Sequence, residues 1–515
     1  MSRRTSAKRN RRTGTVHNPA KTSPSFLRRA TLAASLLVLI VGIGPGLAQA
    51  QQQEKSTPMS QIQRLNRAPV NKEILRVQLP RPTIAKLPNG LTLILIEDHK
   101  LPTVNFTLWI TPGQMGDPAD LPGLAAFTAD MLREGTARRS STQIAAEADS
   151  LGATLNANAA FGESYTAINA SGLIGDADKI LDLMSDIVLR PAFAPDELAL
   201  YKRREEAALE QRLANPTFLA FQAMNRALYV EGPLSVTAPS KESVEKVTPA
   251  DLKRFHDQHY VPANALFGAI GDFHTDDMRA LLAKQFGSWT GTAEAPLGPP
   301  KMAPAPAAKI TLVDRPGSVQ TFLLAADRTI PRSNPDFYAL EVMNQVLGGG
   351  PQSRLFLDLR EEHSFTYGAY SGVSASAFTG DWDATASVRT PVTDGSMDRF
   401  TFEFKQIRDE AVPASELDDA RRAIVAGFAL SLERPAQLLN NVLQIQHLGL
   451  PADYWDKYPD RIAAVDAAQV QAAAKKYIDL AHLQWVAVGD GKQIRDVMAK
   501  YGSVSVIDAE GKPQN

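Results

Sequence analysis

No cysteine occurs among the 515 residues, so disulfides, thiolate nucleophiles and thiolate metal sites are excluded. Net charge is nearly absent as well: 55 Lys and Arg stand against 56 Asp and Glu. A phosphate-binding glycine loop, a Gly-x-Ser-x-Gly elbow and a dinucleotide fingerprint are all missing, which removes common nucleotide and serine-hydrolase machinery. The apolar run over residues 31–44, TLAASLLVLIVGIG, falls short of the roughly 20 residues that a membrane span needs.

What surrounds that run gives it a different meaning. Arg3, Arg4, Lys8, Arg9, Arg11, Arg12, Lys21, Arg28 and Arg29 precede it without a single acid, and Ala48-Gln49-Ala50 follows in the small-x-small pattern cut by export peptidases. Residues 1–50 therefore read as a signal peptide cleaved after Ala50, sending the chain to the periplasm or outside the cell. An uncleaved anchor is the alternative. Without those nine basic residues, 46 Lys and Arg face 56 acids, a balance near −10. A mildly acidic exported chain is a poor nucleic-acid binder, because phosphate contacts need concentrated basic charge.

The remaining length exceeds one ordinary domain, and 44% hydrophobic content is ample for large cores. Residues 51–80 are polar and Gln-rich, a flexible lead-in. Beyond them, KLPNGLTLILIEDHKLPTVNFTLWITPG holds two alternating apolar runs and an Asn89-Gly90 turn, a hairpin signal. Helical patterns follow, including a long charged helix after Pro195 whose first acids, Asp196 and Glu197, suit the helix dipole. A Pro/Ala-rich stretch over 291–309 then interrupts all periodicity and reads as a linker. After it the order of elements begins again. FHDQHYVPANALFGAIGDF in the first half is answered by AAAKKYIDLAHLQWVAVGDG in the second: helix, Tyr, polar turn, strand, Gly-Asp. Two copies of one α+β unit of about 200 residues, over 81–290 and 310–495, are the economical reading, with 496–515 as a tail. Two unrelated α+β domains are the weaker one.

One stretch, GLAAFTADMLREGT over 123–136, reads as a helix, with Leu124, Phe127, Met131 and Leu132 at helical spacing. A second face carries Ala126, Ala129 and Asp130. Together with LPNGLTLILIED, LGATLNANAAFGESYTAINASG, HYVPANALFGAIGDF, LGGGPQSRLFLDLREEHSFTYGAYS and the closing AVGD, it resembles the pitrilysin/insulinase family of zinc metallopeptidases. The likeness is closest to the two-repeat bacterial members related to the mitochondrial processing peptidase, and it covers about 87–490. It implies two repeats of the LuxS/processing-peptidase-like α+β fold, each an antiparallel-rich sheet covered by helices, forming half of a clam-shell chamber.

Family enzymes carry His-x-x-Glu-His where this chain has Ala126, Ala129 and Asp130. Two imidazoles at i and i+4 bind zinc and the glutamate between them activates the metal-bound water. Here both imidazoles and the base are gone. The family's third ligand is a later helical glutamate, falling in REEAALEQ at Glu206 or Glu210. Asp130 with one glutamate remains a ligand short of the three a catalytic zinc takes. The resemblance therefore implies no metal bound by this chain, with zinc in a homologous partner.

The second half keeps Arg360 and Tyr367 in LREEHSFTYGAYS. In the family such a pair reaches the zinc site of the opposite repeat or subunit, where a phenol donates to an oxyanion and a guanidinium holds a carbonyl. Read without the family, Arg360 lies near a helix end and Tyr367 opens a half-buried strand. Gly348, Gly349 and Gly350 match a glycine-rich, substrate-holding loop of noncatalytic processing-peptidase subunits; a helix end with a turn is the plain reading. His256 and His259 lie one helical turn apart without a third ligand, which favours structural histidines. His363 lies between Arg360 and Tyr367 and reads as a solvated turn residue. His99, at a strand end, reads as surface. The function implied is a noncatalytic substrate-binding subunit of an exported heterodimeric zinc endopeptidase. A peptide-binding scaffold without hydrolysis, and an autonomous hydrolase with a displaced metal, are the competing readings.

Overall fold

The computed structural model describes residue 76 and residues 79–293, 298–300, 302 and 304–514. The signal peptide and nearly all of the lead-in lie outside these residues, as does part of the linker. All described residues belong to one compact unit.

Two six-stranded sheets carry the fold. The first comprises β1 (Thr83–Lys86), β2 (Thr92–Glu97), β3 (Thr103–Ile110), β4 (Thr154–Asn158), β5 (Thr166–Leu173) and β6 (Ala265–Gly271), in the order β1-β2-β6-β3-β5-β4. The second comprises β7 (Lys309–Asp314), β8 (Gln320–Arg328), β9 (Thr366–Ala375), β10 (Gly380–Arg389), β11 (Gln484–Gly489) and β12 (Val504–Ile507), in the order β12-β7-β11-β8-β10-β9. Five strands correspond one to one. β2 runs parallel to β6 as β7 does to β11, and the remaining pairs of each five are antiparallel. The chain is thus a duplication, as the matched endings indicate.

The sixth strands differ. β1 forms a hairpin with β2 across Asn89-Gly90, where Gly90 adopts φ +100°. β12 comes from the far end of the chain and pairs parallel to β7. Residues 496–515 are therefore not a free tail. They finish the helix Gly491–Met498 and supply an edge strand. The two apolar runs after Asn89-Gly90, β2 and β3, are separated by β6 rather than paired. The described residues of 291–308 lie outside helix and strand, and Lys309, the last residue of the stretch read as a linker, already opens β7.

The central strands are apolar on both faces because each sheet is covered twice. In β2, Leu93 and Leu95 join the core of their own repeat, whereas Ile94 and Ile96 join that of the other. The helix Pro435–His447 of the second repeat packs on β6, β3 and β2. Reciprocally, the helix Pro216–Tyr229 of the first repeat buries Leu219, Ala220, Met224 and Leu228 against Val313, Leu324, Val486 and Val488 of the second sheet. Both helices open with proline at the first turn, where no intrahelical N–H is lost. Each fully buried Leu or Met contributes about 1.5–3 kcal/mol, so the exchanged helices bind the repeats into one body.

Gly268 marks the tightest point of this exchange: a Cβ there would lie 2.8 Å from Leu439 Cδ1. Gly268→Val is expected to cost about 1–3 kcal/mol through overpacking. In an urea-unfolding double-mutant cycle, adding Leu439→Ala should cost less than the sum of the single variants.

Candidate functional site

The helix Leu124–Met131 is built around a buried acid. Asp117 accepts hydrogen bonds from the backbone N–H of Gly123 (2.6 Å) and Ala125 (2.7 Å), capping the helix from outside it. Gly123 turns into the helix at φ +95°, a conformation that favours glycine. Leu124, Ala125, Phe127, Thr128, Ala129 and Met131 are all buried. Packing and the Asp117 cap together hold the helix in place.

Ala126 is half-buried and Ala129 is 0% exposed. Asp130 accepts a hydrogen bond of 2.7 Å from the Tyr201 hydroxyl, which the long helix Pro195–Leu213 supplies. Burial raises the Asp130 carboxyl above its ordinary range, Tyr201 opposes the rise, and nearby Glu205 adds to it. Burial beside this carboxylate also raises the Tyr201 phenol. Glu205, ion-paired with Arg212, and Glu134 are the acids whose charge bears on Asp130; the sequence reading named Glu206 or Glu210 on the same helix. One turn separates Tyr201 from Glu205, which sets this face; Glu210 is exposed and Glu206 only partly buried. Two methyl groups and a carboxylate already held by a phenol do not make a three-ligand zinc site.

Arg360 lies in a π-helical turn, Leu357–Glu362. Such turns re-aim side chains, and this one is fixed from beneath. Asp358, 5% exposed, receives Arg399 Nε at 2.9 and 2.8 Å, and His363 Nδ1 lies 2.8 Å from it. His363 is therefore a paired, partly buried residue rather than a solvated one. Burial and contact with Asp358 raise the neighbouring Glu403 carboxyl. Arg360 itself stays exposed, with its guanidinium 4.9 Å from the Phe356 ring centre and 3.4 Å from Glu361. Tyr367 sits on the edge strand β9 and is 90% exposed. The β9–β10 register slips between Ala386 and Val388, opposite Thr366 to Ala369, so a bulge falls at Tyr367. Bulges of this kind redirect a side chain at a sheet edge.

Gly348 ends the helix Phe337–Leu347, and its carbonyl accepts the Ser371 N–H of β9 at 2.9 Å. A Cβ on Gly348 would lie 2.3 Å from that nitrogen, so close strand packing requires the glycine. Gly349 is exposed and Gly350 partly so. None of the three adopts positive φ. His256 and His259 are both buried: His256 Nε2 lies 2.8 Å from the Val188 carbonyl, and the His259 ring stacks edge-on to Phe255. That is the structural role expected of them.

The family model described as insulinase (peptidase family M16) matches residues 92–237, and the peptidase M16 inactive domain matches residues 246–424. The chain belongs to the insulinase family, peptidase family M16. Proteins named uncharacterized zinc protease in Mycobacterium tuberculosis and Mycobacterium bovis are each 27% identical over 358 residues, covering 68% of this chain and 80% of theirs. A zinc protease of Bacillus subtilis, also named as uncharacterized, is 23% identical over 349 residues, 67% of this chain and 83% of its own. Among solved structures, a peptidase M16 inactive domain from Pseudomonas fluorescens superposes with TM-score 0.74 at 27% identity, over 79% of this chain and 97% of that one. A Helicobacter pylori protease shares the fold, with TM-score 0.74 at 17% identity over 80% of this chain and all of its own.

Sequence reasoning missed a second polar centre in this M16 chain. A cavity of about 350 Å³ opens where the repeats meet, lined by Trp109, Glu163, Tyr165, Tyr229, Asp381 and His447. Tyr165 stacks on Trp109 with ring centres 4.1 Å apart, and His447 meets both rings edge-on. Burial pushes the His447 imidazole down to about 4, so the ring is neutral at pH 7 and hydrogen-bonds Ser164 at 2.9 Å. Residues separated by about 280 positions along the chain give no local signal of this meeting.

Two expectations follow for the helix of Ala126. Removing the Tyr201 hydroxyl orphans a buried carboxyl, so Tyr201→Phe should cost about 1–3 kcal/mol in chemical unfolding, and less in an Asp130→Ala background. Burial outweighs the two backbone donors and pushes the Asp117 carboxyl up to about 7, above an unfolded value of about 3.9. Its stabilising contribution is therefore full below about pH 4 and is lost as pH rises through about 7. Relative to the unsubstituted chain, Asp117→Asn should gain stability between pH 4 and pH 7, measured by urea unfolding at both values.

Proposed function

We propose that this chain is a noncatalytic, substrate-binding subunit of an exported zinc endopeptidase. Its partner is a homologous subunit with an intact His-x-x-Glu-His helix, which supplies zinc and the general base. This chain supplies half of the chamber and lends Arg360 and Tyr367 to the partner's site. One observation carries the reading: the helix at the family's metal position presents Ala126, Ala129 and an Asp130 already bound to Tyr201. Neither a metal of three protein ligands nor a water-activating base can be assembled there from these residues.

The exposure of Arg360 and Tyr367 supports the second half of the proposal. Tyr367 is a phenol in solvent on an edge strand, and the turn that carries Arg360 is tied to Arg399 through Asp358. The phenol is suited to a ligand that arrives from outside, donating to a developing oxyanion while the guanidinium holds a carbonyl. The match to an inactive M16 domain and the zinc-protease names of the relatives agree with this division of labour. Export rests on the signal-peptide reading of residues 1–50.

The test is peptide cleavage by a mixture of this chain with a relative bearing the intact motif. The mixture is expected to cleave faster than the relative alone. Arg360→Ala or Tyr367→Phe should lower that gain about 100-fold, equivalent to roughly 3 kcal/mol of lost transition-state stabilisation. A gain unaffected by both variants would remove the pair from the mechanism. No gain at all would favour a peptide-binding scaffold.

A further inference from the structure

At the outer end of the first sheet, two strands that run parallel bring distant residues together. β2 ends at Glu97, paired with Gly271 at the end of β6. His99 follows in the turn after β2, and His274 caps the helix Thr275–Phe286 that follows β6. A carboxylate oxygen of Glu97 and one ring nitrogen each of His99 and His274 all lie within 4.8 Å of one another. The His99 and His274 ring centres are 5.9 Å apart.

Each of two members is already oriented by a separate neighbour. Thr275 donates its N–H (2.7 Å) and hydroxyl (2.6 Å) to Glu97 Oε1, which leaves Oε2 turned toward His99 Nε2 at 3.4 Å. Asp272 Oδ1 lies 2.7 Å from His99 Nδ1, which orients the ring with Nε2 toward Glu97; an entering ion takes Nε2 in place of any proton there while Asp272 holds the one on Nδ1. A carboxylate behind a histidine is the arrangement that fixes tautomer and ring direction in metal-binding histidines. All three side chains are exposed. A shift on the order of an ångström brings the ligand atoms to the separation of about 3.4 Å required around a tetrahedral ion with bonds near 2.1 Å.

We propose that Glu97, His99 and His274 form a zinc-binding site on the outside of the first repeat, with Asp272 positioning His99. Two imidazoles and one carboxylate are a borderline donor set that suits zinc over calcium or magnesium. The bound ion leaves a fourth position for water. It ties the turn after β2 to the start of the helix Thr275–Phe286, a clamp across the ends of two parallel strands. This proposal departs from the expectation of a metal-free chain. It is independent of Asp130 and of any catalytic partner, since its residues belong to other elements.

Calorimetric titration of the full chain with zinc chloride at pH 7.5 tests it. The expected result is one site per chain, with affinity reduced at least about tenfold in His99→Ala and in His274→Ala, and about tenfold in Asp272→Asn. Asp130→Ala should leave the affinity unchanged. Far-ultraviolet circular dichroism of the surface variants should match the unsubstituted chain, separating loss of ligand from loss of fold. Zinc binding that survives both histidine substitutions, binding lost with Asp130, or no binding at micromolar zinc would each overturn the proposal.

Discussion

The exchange of helices between the repeats is the constraint on which the rest depends. Each sheet buries one face against helices of its own repeat, and the central strands of each bury the other face against a single helix lent by its sister. Val486 and Val488 touch the helix Pro216–Tyr229, while Trp485 and Ala487 on the same strand enter the home core. A core shared in this way cannot be divided at the linker without exposing both donated helices and both acceptor strands. It also decides what remains open. The edge strands β4 and β9 stay unpaired on their outer sides, and Tyr367 stands on one of them.

Within this frame the helix Leu124–Met131 is positioned by contacts within its own repeat. Its termini and packing are settled by Asp117, Gly123 and the apolar residues around Phe127, none of which requires a ligand at positions 126, 129 or 130. Asp130, which stands where the family carries a histidine, is held by Tyr201. Charge has been dealt with locally, by a phenol and by the Arg212–Glu205 pair. The opposite situation holds at Arg360, where the supporting network is buried and the guanidinium itself is left in solvent.

Much of this was legible in the sequence because it is local or repeated. The Asn89-Gly90 turn lies in a hairpin, and the matched Tyr–strand–Gly-Asp endings belong to corresponding strands of the two sheets. What failed to show was pairing at a distance. An apolar stripe on residues 216–229 does not say whose sheet it covers, and the last strand was read as tail because four residues, Val504–Ile507, carry too little pattern. His99 and His274 stand 175 positions apart, and only the parallel register of β2 with β6 joins them.

With Ala126, Ala129 and a Tyr201-bound Asp130 in the family's metal position, the proposed function requires that the first repeat not hydrolyse a peptide by itself. The most direct measurement is the hydrolysis rate of an unstructured peptide by the isolated chain, with saturating zinc and again with a chelator. The same background rate is expected in both conditions and in Asp130→Ala. A zinc-dependent rate that Asp130→Ala abolishes would contradict it.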